Sequence, residues 1–123
     1  MNVAVRGIRG AITVDENSGL AITEAVVELL RKMTNVNGFQ TEDLAAVLFS
    51  STPDLNAGFP ATAARTLPGY EAVPLFGTSE INPPGSLPQC VRILILWNTD
   101  KPQSAIRHIF LKEAAALRPD LEC

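Results

Sequence analysis

Residues 90–99, CVRILILWNT, place apolar side chains on both sides of any strand they form. In an extended chain Val91, Ile93, Ile95 and Trp97 point one way, and Arg92, Leu94, Leu96 and Asn98 the other. A strand that is apolar on both faces belongs in the middle of a sheet, because at an edge one set would stay wet. The rest of the chain must therefore supply neighbouring strands. Residues 2–14 alternate small, apolar and arginine positions, and Gly7 and Gly10 there permit a bulge or a close backbone approach. LAAVLFSS at 44–51 reads as a second strand, and residues 71–77 read as a third.

One helix is written just as plainly. Ser18 is a fitting N-cap, and Ile22, Val26, Leu29, Leu30 and Met33 recur at helical spacing over residues 19–36. Glu24, Glu28, Arg31 and Lys32 mark its wet side, and Gly38 is a suitable C-terminal stop. TPDLNAGFP is a loop of turn-forming residues, followed by a short helix with Pro60 in its first turn. Pro83, Pro84 and Pro88 keep INPPGSLP out of regular sheet. Residues 106–117, IRHIFLKEAAAL, suit either strand or helix on periodicity alone. One long helix with several strands predicts an α+β protein built on a mixed sheet.

The 123 residues are 46% hydrophobic, which suits a single domain spanning residues 1–123. A net charge of −3 provides no general field for nucleic acid, and no apolar run approaches a membrane span. MNVAVRGIRG lacks the apolar core of a signal peptide, so a cytoplasmic protein is expected. Cys90 and Cys123 are accordingly read as reduced thiols rather than as a disulfide.

Within this apolar framework three arginines stand out, Arg9 in VRGIRG, Arg92 in CVRIL and Arg118 in AALRPD, with Glu80 after VPLFG. A guanidinium among hydrophobic residues is costly unless an anion accompanies it, and few carboxylates occupy comparable settings. The pattern points to a bound carboxylate or phosphate; for any single arginine the competing reading is a surface salt bridge. Other chemistry has little support. His108 is the sole histidine and reads as a structural or surface residue rather than a general base; with two scattered cysteines it forms no recognisable zinc motif. GxSxG, phosphate-loop and dinucleotide fingerprints are missing from the sequence. Electrostatic catalysis by fixed guanidinium groups around a small anion is what remains.

Five segments in order, RGIRGAITV, STPDLNAGFPATAAR, VPLFGTSE, PGSLPQCVRILILWNTD and IRHIFLKEAAALRPDL, resemble the AroH-type monofunctional chorismate mutases over residues 5–121. The resemblance implies a homotrimer in which each subunit contributes a mixed five-stranded sheet with the long helix packed on it, together forming a pseudo-α/β barrel. It implies that residues 106–117 are strand. It also implies active sites between adjacent subunits and conversion of chorismate to prephenate in aromatic amino-acid biosynthesis, a unimolecular rearrangement that needs no cofactor.

By the same resemblance, Arg92 stabilises charge on the breaking ether oxygen, Arg9 holds a substrate carboxylate, and Glu80 accepts a hydrogen bond from the ring hydroxyl. Phe59, Arg65, Phe76, Gly77, Cys90, Phe110, Leu117 and Arg118 complete the binding site, with Arg65 and Arg118 also attracting the dianion. Three positions depart from the family pattern: Phe110 replaces a tyrosine, Gly77 a cysteine and Thr62 a lysine. A YjgF-type imine deaminase also grips a carboxylate with an arginine between subunits. Glu80 together with Arg9 favours the mutase, while a metabolite-binding trimer without chemistry is the alternative that the three departures allow.

Overall fold

The structure, a computed structural model, describes residues 3–117. Its strands are β1 (Ala4–Thr13), β2 (Leu44–Ser51), β3 (Leu75–Ser79), β4 (Cys90–Thr99) and β5 (Ile109–Leu111). They form one sheet in the order β3-β2-β4-β1-β5, so β4 is the central strand, as its two apolar faces require. β4 runs antiparallel to both neighbours, whereas the outer pairs β2/β3 and β1/β5 are parallel. The sheet is therefore mixed.

Helix α1 (Gly19–Asn37) covers one face. The Ser18 hydroxyl accepts from the Ala21 N–H at 3.1 Å, a cap that contributes about 1 kcal/mol in comparable helices. Gly38 ends the helix at φ 77°, in the left-handed region where a side chain would be strained. Ile22, Val26, Leu29, Leu30 and Met33 are buried against Val91, Ile93 and Ile95 of β4 and Ile8 and Ile12 of β1. A Cβ on Gly10 would lie 2.6 Å from Met33 Sδ, so this glycine permits the close approach of β1 to α1, and the strand continues without a bulge. Among the described residues no helix is long and apolar enough to cross a membrane.

Two elements differ from expectation. The third strand begins at Leu75 rather than 71, after a 3₁₀ turn at Tyr70–Ala72. Pro74 has no N–H to give a ladder; its carbonyl accepts from Val47 N at 2.9 Å, and pairing starts there. Of residues 106–117 only Ile109–Leu111 are strand. Lys112 adopts φ 56°, which breaks the extended path, and Lys112–Leu117 wind into a 3₁₀ segment. That segment buries Ala114 against Ala11, Cys90 and Phe110 in a small second cluster.

Candidate active site

Strand register brings the charged residues together. Arg92 pairs with Ala11 on one side and Ser50 on the other, and Arg9 pairs with Leu94. Paired residues share a face, so Arg9 and Arg92 sit diagonally on the side of the sheet away from α1. On β3, Thr78 pairs with Ser50, and the Glu80 N–H donates to Ser51 O at 2.9 Å, keeping the chain extended beside β2. Two residues beyond Thr78, Glu80 therefore returns to the face that carries Arg92.

Arg92 Nε lies 3.5 Å from Glu80 Oε1, with the side chains 35% and 21% exposed. The sequence suggested arginines without a partner in the chain; Arg92 has one. That partner does not satisfy it, because the buried Nε makes no hydrogen bond. Arg9 enters no ion pair among the described residues, and its guanidinium lies 5.8 Å from the centre of the Phe110 ring. Phe110 is buried and acts as an apolar floor beneath that cation. Arg9, Glu80, Arg92, Phe110, Ser50 and Thr78 line a cleft of about 320 Å³, within the size range of small-ligand sites.

The start of β4 is fastened from behind. Gln89, at φ 50°, donates its N–H to the Asp54 carboxylate at 3.0 and 3.2 Å. The Cys90 N–H donates to Thr52 Oγ1 at 3.0 Å, and that hydroxyl in turn donates to Asp54. Cys90 is fully buried, and burial pushes its thiol above the ordinary range while the nearby Arg92 pulls it back down. A neutral thiol there packs rather than reacts.

Other expected site residues gather elsewhere. Phe59 and Arg65 flank helix α2 (Pro60–Ala64), whose Ala63 and Ala64 are buried in the main core. Asn17 holds the preceding loop, its Oδ1 accepting from Asn56 N at 3.1 Å and from Ala57 N at 3.0 Å. Phe59, Arg65, Thr62 and Gly77 line a separate cleft of about 850 Å³. Gly77 pairs with Phe49, which pairs with the inward Ile93, so this cleft opens toward the helix side of the sheet. Phe76 is on the Arg92 side and 63% exposed. Leu117 ends the final 3₁₀ segment, and Arg118 and Cys123 lie outside the described residues.

Ser50, Thr78 and Leu94 also line the smaller cleft and were not anticipated. Their only sequence signal is alternation along a strand, which becomes informative once the register is known.

The chain is similar to known proteins over nearly its whole length. The family model for chorismate mutase type I matches residues 5–121. A chorismate mutase AroH of Thermus thermophilus is 56% identical over 119 residues, covering 96% of this chain and 97% of that protein. A chorismate mutase AroH of Bacillus subtilis is 42% identical over 117 residues, covering 95% and 92%. The solved structure of a chorismate mutase from Clostridium thermocellum superimposes with a TM-score of 0.86 at 39% identity, covering 89% of this chain and 97% of that one. The chain belongs to the type I chorismate mutases.

Proposed function

We propose that Arg92, Glu80 and Arg9 are the residues with which this chorismate mutase chain rearranges chorismate to prephenate. The observation that carries the assignment is Arg92, which lines a cleft together with Arg9 and whose buried Nε is held beside Glu80 without a hydrogen bond. In this pericyclic reaction the ether C–O bond breaks as a C–C bond forms within one molecule, and negative charge builds on the oxygen. A guanidinium at that oxygen, in a site that excludes water, stabilises the transition state more than the ground state. Arg9 binds a substrate carboxylate, with the apolar Phe110 face beneath its guanidinium. Glu80 accepts a hydrogen bond from the ring hydroxyl and keeps Arg92 oriented.

The functional unit is a homotrimer acting in the cytoplasm. In it Phe59 and Arg65 of one subunit close the Arg92 cleft of the next, with Arg118 drawing in the dianion. Two observations support this reading. The Phe59 and Arg92 clefts are separate on one chain. The face opposite α1 also leaves Val5 and Phe76 54% and 63% exposed, an apolar surface suited to a second copy.

The test is the loss of chorismate absorbance with purified protein and with Arg92→Ala in parallel. Turnover in the wild type that disappears in the variant is expected. Near-normal kcat in Arg92→Ala would refute the assignment.

A further inference from the structure

Arg9 is held by its backbone in a way the sheet alone does not provide. The β1/β5 ladder begins at Gly10 opposite Ile109. Extended one step, parallel pairing would offer the Arg9 N–H the carbonyl of Arg107. That carbonyl is engaged elsewhere, accepting from Asn37 Nδ2 at 2.9 Å. The Arg9 N–H instead donates to His108 Nδ1 at 2.9 Å, a side chain standing in for the missing rung.

The imidazole is itself set in place from the end of α1. Asn37, 4% exposed, grips Arg107 on both sides, since its Oδ1 accepts from Arg107 N at 2.9 Å while its Nδ2 donates to Arg107 O. A second bond from Nδ2 to Met33 O at 3.0 Å ties that amide to the last turn of the helix. The path runs from the helix terminus through the Arg107 backbone to His108, and from His108 to the strand position that carries Arg9. Because Nδ1 accepts, the ring proton of the neutral imidazole resides on Nε2.

We infer that His108 is a positioning residue for Arg9: by accepting the Arg9 N–H it fixes the backbone from which the guanidinium reaches the cleft. The proposal rests on the reading of Arg9 as the carboxylate holder. His108 acts through Arg9 and is assigned no contact with the reacting atoms. Losing it loosens substrate binding more than the chemical step.

The experiment compares His108→Ala, His108→Asn and Arg9→Ala by steady-state kinetics on chorismate, with amide hydrogen exchange of Arg9 followed in the full-length protein. His108→Ala is expected to raise KM about tenfold, the scale of one lost hydrogen bond, with kcat within about twofold of wild type. In His108→Asn the side-chain oxygen can occupy the place of Nδ1, so KM returns toward wild type. The Arg9 amide is protected in the wild type and in His108→Asn, and exchanges faster in His108→Ala. A normal KM in His108→Ala beside a raised KM in Arg9→Ala overturns the proposal alone. A normal KM in Arg9→Ala overturns the carboxylate reading and the proposal with it. An unprotected Arg9 amide in the wild type overturns the hydrogen bond directly, whether or not the variants fold.

Discussion

Phe76 and Gly77 are adjacent in the chain and stand on opposite faces of the sheet, Phe76 paired with Leu48 and Gly77 with Phe49. That alternation divides the candidate residues. Phe76 shares the side of Arg9, Arg92 and Glu80, while Gly77 joins Phe59 and Arg65 around the other cleft. The candidate residues therefore form two surfaces on opposite faces of the sheet, meeting at its β3 edge.

Arg92→Ala should reduce kcat by at least two to three orders of magnitude, the roughly 3–4 kcal/mol lost with a well-placed oxyanion donor. Its side chain is 35% exposed, so the thermal transition should change little. Arg92→Lys should recover only a small part of the rate, since an ammonium cannot reproduce the planar fork. Chorismate absorbance and a melting curve on the same samples check both expectations.

If the clefts of two subunits combine, two inactive variants should complement each other. Arg92→Ala and Arg65→Ala, unfolded together and refolded as mixed trimers, should regain activity at a substrate concentration where each alone is nearly silent. With random assembly about a quarter of the sites carry both native residues, so about a quarter of the wild-type rate is expected. No recovery from correctly assembled mixtures would place all the catalytic residues within one subunit.

Cys90 should resist thiol reagents in the native state. Burial raises its ionisation above the ordinary value of 9.0, so the thiol stays protonated at pH 7 to 8 and only more alkaline solution generates thiolate. In a Cys123→Ser background, a colorimetric disulfide reagent at pH 8 should react only as the protein unfolds. Removing Arg92 should raise the ionisation further, because its charge opposes the shift.

Gly10→Ala should destabilise the fold by about 1–3 kcal/mol, since the added methyl would meet Met33 Sδ at 2.6 Å and Cε at 2.9 Å in a closed core. Denaturant unfolding measures this. Met33→Ala in the same background should relieve the clash while leaving its own cavity cost.

The local features were legible in the chain itself. Ser18 and Gly38 mark the ends of α1 because a cap and a left-handed stop act through neighbouring backbone groups. Cys90–Thr99 is read as the central strand because its two apolar faces require cover on both sides. Arg92, Arg9 and Glu80 were singled out by their unusual apolar surroundings, and the roles proposed for them come from resemblance to a family. Strand register decided the rest, and register depends on partners distant in sequence. The sequence alone did not place Ser50 and Ala11 beside Arg92 or His108 under the Arg9 backbone, nor did it divide Phe76 from Gly77. Tertiary packing also limited β5 to three residues, since burying Ala114 against Phe110 and Cys90 favours the turn at Lys112 over a longer strand. Caps, stops and apolar periodicity are properties of a segment, whereas a site assembled across five strands is a property of how those segments are aligned.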